Sequence, residues 1–179
     1  MPPDPRVPGE QFTYETGMMP NGDLKLIRHA RFTIPTDLDN VSSVAEALRA
    51  FILRHMPEDA CNMIELGVVE VLTNIVTHGY ASIPPGAVEL LFEQSASIAI
   101  VKVTDNGVPI PEPLLNSAGR GSFDFDLTDI ECLSESGRGL AIIQLLFDAV
   151  HYQSKGSINQ LTLAKRFETS SAADERLSR

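Results

Sequence analysis

The sequence predicts an α+β fold, a two-layer sandwich in which a mixed, mostly antiparallel sheet carries its helices on one face. Three observations lead there. Of 179 residues 43% are hydrophobic, enough for one core, and the length leaves no room for a second large domain. Strand-like and helix-like segments follow one another as β, α, α, β, β, long loop, α, β, β. The later strands therefore come in adjacent pairs, which is not the order of a doubly wound parallel sheet.

The first strand is expected over 24–34, where Leu24, Leu26, Ile27, Phe32 and Ile34 precede Pro35. Asp37 or Asp39 caps the helix after it, whose Val41, Val44, Leu48, Phe51 and Ile52 keep a helical period until His55, before Pro57. Pro57, Glu58 and Asp59 open a second helix expected over 60–78, with Gly67 as its one breaker and Gly79 as its end. A hairpin follows from 87–92 and 97–103 across the polar link 93–96, closing on Asp105-Asn106-Gly107.

The 29 residues 108–136 contain Pro109, Pro111, Pro113, Gly119 and Gly121 and little periodicity. Long loops inside compact domains are usually functional or disordered. Gly137-Arg138-Gly139 then opens an apolar third helix with Leu140, Ile142, Ile143, Leu145, Leu146 and Phe147. A last hairpin, 149–153 with 158–167, turns at Ser154-Lys155-Gly156-Ser157. The flanks, 1–22 and 168–179, are polar and read as flexible tails around a folded 23–167. No internal repeat appears, so a solenoid is excluded.

With 14 Lys and Arg against 24 Asp and Glu, the net charge is -10, the wrong sign for a general nucleic-acid binder. Cys61 and Cys132 stand 71 positions apart with no CxxC and no His at ligand spacing, so neither a disulfide framework nor a zinc site is indicated. Residues 1–11 hold four prolines and two acids but no apolar core of a signal peptide, and no segment approaches the length of a membrane span. The expectation is a cytoplasmic chain without membrane contact.

Three constellations carry polar residues at chemically useful spacings. In the second helix Glu70, Asn74 and His78 recur every fourth residue and share a face, opposite Ile64, Val68, Val71, Leu72 and Ile75. The stripe is narrow and flanked by Gly67, Thr73 and Thr77; a solvated helix face is its plain reading, and a cleft wall the functional one. A carboxylate there suits a general base, and an amide oxygen one turn on suits a Mg²⁺ shell completed by phosphates and water. Thr104-Asp105-Asn106-Gly107 is good turn chemistry, and an Asp at a strand end also suits an exocyclic amine. Ser136-Gly137-Arg138-Gly139-Leu140 sets backbone N–H groups and a positive helix end where a phosphate sits, although Gly-x-Gly before a helix is common.

In this order, Glu70-x-x-x-Asn74, Asp105-x-Gly107 and Gly137-x-Gly139 resemble the N box and the two glycine boxes of the GHKL, or Bergerat-fold, ATPases. The stretches 70–78, 105–109, 137–143, 148–152 and 159–165 resemble more narrowly the RsbW and SpoIIAB type of anti-sigma factor serine kinases, over about 24–167. Two features depart from the pattern. Pro109 stands where a second glycine is expected, and 108–136 offers only Phe123 and Phe125 as aromatic anchors.

The resemblance implies a GHKL ATP-binding kinase domain over 23–167, with 108–136 as its ATP lid and with ATP and Mg²⁺ bound. It implies that Asp105 contacts the adenine amine, that Gly107 lets the base approach, that Asn74 ligates Mg²⁺ and that Glu70 is the general base. Gly137 and Gly139 would cradle phosphates, Leu140 would belong with them to the nucleotide-binding residues, and Arg138 would offset charge on the transferring phosphoryl group. His78 falls either near the phosphate end or against the helix terminus, and Thr162 reaches the adenine from its strand.

The implied partners are a STAS-domain antagonist phosphorylated on serine, a sigma factor or other target held in alternation, and a second copy docked through about 24–55. Two rivals stay open. One is a module that binds ATP and sequesters a partner without phosphate transfer, which an Ala or Gln at position 70 would favour; the other is a structural domain with accidental motifs. His29, His55 and His151 lie in no phosphoacceptor motif, which argues against a phosphorelay sensor kinase, and gyrase, MutL and Hsp90 relatives carry large domains that 179 residues cannot hold.

Overall fold

The computed structural model describes residues 17–18, 25–111 and 135–168. Nearly all of the expected tails, most of the expected lid and Cys132 lie outside these residues. The described residues start with two short strands, β1 (Gly17–Met18) and β2 (Lys25–Leu26), paired antiparallel. β3 (Arg28–Pro35) buries Ala30, Phe32 and Ile34 and exposes Arg31, Thr33 and Pro35, the period of a half-buried strand. The single strand expected over 24–34 is thus two, separated at Ile27.

Helix α1 (Leu38–Ile52) starts where the Asp37 carboxylate accepts from the Asp39 N–H at 3.1 Å, so Asp37 rather than Asp39 is the cap. It buries Val41, Val44, Ala45, Leu48 and Ile52, and it stops at Ile52, short of His55. Helix α2 (Glu58–Asn74) carries Glu58 and Asp59 in its first turn, the favourable sign for that end of the dipole. It runs on into a π-helical turn, Ile75–Gly79, closed by the Tyr80 N–H on the Ile75 carbonyl at 3.1 Å.

Strands β4 (Ala87–Gln94) and β5 (Ile98–Asp105) form the expected hairpin, each reaching two residues further than the sequence suggested. Helix α3 (Glu135–Leu146) follows, beginning two residues before Gly137. β6 (Ala149–Lys155) and β7 (Ile158–Arg166) close the chain around Gly156, whose φ of 62° is the left-handed conformation that a glycine adopts freely.

The five long strands form one sheet in the order β3-β4-β5-β7-β6, and every neighbouring pair is antiparallel where a mixed sheet was expected. The register stacks one face. Ala30, Phe32 and Ile34 oppose Phe92, Leu90 and Val88; these continue through Val101 and Val103 to Leu163 and Leu161. All are buried together with Leu48, Ile52, Ile64, Val68, Leu72 and Ile143 of the helices in a single core. Burying each such aliphatic side chain contributes roughly 1.5–3 kcal/mol. The other face is polar, with Lys102 and Glu93 paired at 2.7 Å and Arg31 and Glu89 at 3.3 Å.

One expectation changes here. The 22 residues Glu58–Gly79 are long and apolar enough to cross a membrane by composition, contrary to the sequence reading. Their apolar side is accounted for by the core, since Ile64, Val68, Val71 and Leu72 pack beneath the sheet.

Candidate functional site

Where β5 ends and β7 begins, the inward face of the sheet passes from apolar to polar. Leu161 and Leu163 of β7 are core residues, and the next inward position toward the turn is Asn159, opposite Asp105 in register. At this end α2, its π-helical turn, α3 and the segment 108–111 enclose a cavity of about 210 Å³. Asn74, His78, Asp105, Tyr152 and Asn159 give it polar groups; Val71, Ile75, Leu140 and Ile143 give it an apolar wall. An apolar cleft with a few convergent polar groups is the usual form of a small-molecule site.

Asp105 is 7% exposed and Asn159 3%. Charge buried to this extent requires partners, and Asp105 has two on one oxygen. The Gly107 N–H donates to Asp105 Oδ1 at 2.7 Å, and Asn159 Nδ2 donates to the same atom at 3.1 Å. Asn159 Nδ2 also donates to the Gly107 carbonyl at 2.9 Å. Asp105 Oδ2 has no partner among the described residues. Behind Asn159, Tyr152 Oη donates to Asn159 Oδ1 at 3.2 Å and accepts from the Ile110 N–H at 3.0 Å. Burial pushes the Tyr152 phenol above its usual range, with the Asp105 charge adding to the shift, so its hydroxyl stays protonated.

Gly107 is required by its surroundings. A Cβ there would lie 2.9 Å from both Asp105 Oδ1 and the Gly79 carbonyl, and that carbonyl accepts from the Val108 N–H at 2.8 Å. The turn after β5 is thereby drawn against the π-helical turn. Tyr80 adds to the same junction, its hydroxyl accepting from the Asn106 N–H at 3.2 Å.

The second polar group lies between α2 and α3. A Cβ on Gly139 would stand 2.8 Å from Asn74 Nδ2 and 3.2 Å from Glu70 Oε2, so the first turns of α3 press directly on the Glu70–Asn74 face of α2. Asn74 Nδ2 is buried without a hydrogen-bond partner. An orphaned amide costs about 1–3 kcal/mol, a cost that a ligand would relieve. Among the described residues no three His, Cys, Asp or Glu side chains cluster as a metal site. The orphaned Nδ2 is a donor, so the partner it lacks is an acceptor such as a phosphate oxygen, and it is the Oδ1 of the same amide that suits an ion such as Mg²⁺ whose other ligands are phosphates and water.

The sequence-predicted residues are distributed as follows. Asn74, His78, Asp105 and Leu140 line the cavity, and Glu70 and Gly139 adjoin it through Asn74. His78 is exposed and faces the cavity across the π-helical turn. Gly137 lies in the first turn of α3, and Arg138 is exposed beside it, outside the cavity lining. Thr162 is a correction. It pairs with Lys102 and His151 on the opposite face of the sheet, because it alternates with the inward Leu161 and Leu163. The inward polar residue of β7 is Asn159. That parity was readable from the sequence, whereas Tyr152 becomes part of the site only through the β6–β7 register.

A family model described as the histidine kinase-like ATPase domain matches residues 34–165. An anti-sigma F factor from Clostridium beijerinckii is 26% identical over 137 residues, covering 72% of this chain and 87% of that protein. Among solved structures, the RsbU and RsbW domains of a Mycobacterium tuberculosis protein match with a TM-score of 0.55 and 16% identity, over 78% of this chain and 32% of that one. The chain thus spans about a third of that structure, and the likeness speaks for the fold.

Proposed function

The chain belongs to the histidine kinase-like ATPase (GHKL) domain family, and on that premise we propose that it is an ATP-dependent protein-serine kinase and anti-sigma-type regulator. Its substrate is a serine of a STAS-domain antagonist, and its other partner is a sigma factor or comparable target, as in a cytoplasmic partner-switching system. The likeness to the Clostridium anti-sigma F factor supports the regulatory half of this reading. A homodimer through the region of about 24–55 belongs to the same proposal.

The observation that carries it is the pairing, in one cleft, of the buried Asp105 carboxylate with the unpartnered Asn74 amide beside Glu70. In this reading the exocyclic amine of adenine donates to Asp105 Oδ2, while Val71, Ile75 and Leu140 cover the ring. Backbone N–H groups of the first turns of α3, at Gly137 and Gly139, receive phosphate oxygens, with Arg138 beside them. Asn74 would hold Mg²⁺ through its Oδ1, and the ion would offset phosphate charge.

Glu70 takes the proton of the serine hydroxyl as its oxygen bonds to the γ-phosphorus. The bond from that phosphorus to the β–γ bridging oxygen breaks, and ADP leaves. Catalysis of this kind is mostly positioning and electrostatics, so truncating the base should abolish transfer and spare binding. The test is intact-mass spectrometry of a STAS-domain protein incubated with Mg·ATP and this chain. One added phosphate with the native chain, lost with Glu70→Ala while ATP still binds, is expected. ATP binding without transfer to any STAS candidate would replace the kinase by a sequestering module.

A further inference from the structure

Resting on that nucleotide reading, we infer that Tyr152 is a positioning residue for base recognition, its hydroxyl tying the cavity wall at Ile110 to the carboxamide that orients Asp105. Four groups form one directed chain. The Ile110 N–H donates to Tyr152 Oη, Tyr152 Oη donates to Asn159 Oδ1, and Asn159 Nδ2 donates to Asp105 Oδ1, at 3.0, 3.2 and 3.1 Å.

The polarity of this chain has one solution. The Asp105 carboxylate and the Gly107 carbonyl can only accept, so the Asn159 NH₂ faces them, its Oδ1 faces Tyr152, and the Tyr152 hydroxyl is the donor of that pair. Asn159 Nδ2 meets the Gly107 carbonyl at 2.9 Å. The reverse amide orientation would face oxygen against both acceptors. Asn159 is 3% exposed, so bulk water does not substitute for a missing partner. Tyr152 therefore acts on the base through Asn159 and Asp105, and on the cavity shape through Ile110, which lines it.

Removing the hydroxyl leaves Asn159 Oδ1 and the Ile110 N–H unpaired together and loosens Asn159, one of the two donors that hold the carboxylate, while the Gly107 N–H stays in place. ADP and inosine diphosphate differ only at the purine edge, where the exocyclic amine becomes a carbonyl and N1 changes from an acceptor to an N–H donor. The ratio of their dissociation constants therefore reads base recognition and cancels losses common to both, including phosphate binding and general loosening.

Isothermal titration of both nucleotides into the native chain, Tyr152→Phe and Asn159→Ser tests the inference. The native chain should prefer ADP, and Tyr152→Phe should shrink that preference about threefold to tenfold, the size of one net hydrogen bond. Asn159→Ser, one link nearer the carboxylate, should shrink it at least as far. An unchanged ratio in Tyr152→Phe, with both nucleotides weakened equally or neither, would overturn the inference and leave the nucleotide reading standing. A native chain that binds neither nucleotide would overturn both.

Discussion

The two oxygens of Asp105 are not equivalent. Oδ1 takes both protein donors, the Gly107 N–H and Asn159 Nδ2, and so holds the carboxylate in place at the end of β5. The glycine is part of that arrangement, because Gly79 and Asp105 leave no space for a Cβ at position 107. Glu70, Asn74 and Asp105 stood out by spacing and residue type, which left a solvated helix face and a plain turn open, and it was the family resemblance that assigned them, with Gly107, to one site. Thr162 was misplaced because a family pattern outweighed strand parity, which puts it on the face of Lys102. Thr162→Val should accordingly leave ADP affinity within about twofold, since surface changes away from the site are usually worth less than about 0.5 kcal/mol. A titration showing a loss of tenfold or more would return Thr162 to the site.

At the scale of elements, the order and type of the long segments followed from periodicity, because an alternating apolar pattern gathers on one face only as a strand and a 3.6-residue pattern only as a helix. Their ends did not. α1 stops at Ile52 where the turn to Pro57 begins, and β4 and β5 continue for as long as hydrogen-bond partners face them. The π-helical turn at Ile75–Gly79 left no mark in the apolar pattern, since it is a change of hydrogen-bond partner rather than of residue type. Its consequence is local. It aligns the Gly79 carbonyl with the Val108 N–H and brings His78 to the cavity. The cap of α1 lies outside the residues that line the cavity, so Asp37→Ala should cost about 1 kcal/mol in urea unfolding and leave nucleotide affinity unchanged.

At the scale of the whole molecule, one sheet face serves two purposes along its length. From β3 to β7 its inward positions are apolar and carry α1, α2 and α3; at the ends of β5 and β7 the same face becomes Asp105 and Asn159. The site is thus an extension of the core, held by the register that packs it, and α2 supplies both the buried Val68 and Leu72 and the polar Glu70 and Asn74. This coupling explains why fold and site were legible together in 179 residues, while the Ile110–Tyr152–Asn159 chain, drawn from three separate segments, was not. The most direct test of a purine nucleotide site at this end of the sheet is calorimetric titration of ADP into the native chain and into Asp105→Asn. The variant keeps the shape of the side chain but removes the charge and one acceptor. One-site binding by the native chain, weakened about tenfold or more in a variant that still melts cooperatively, is the predicted result. Equal affinity in the two proteins, or no binding by the native chain, would contradict the account.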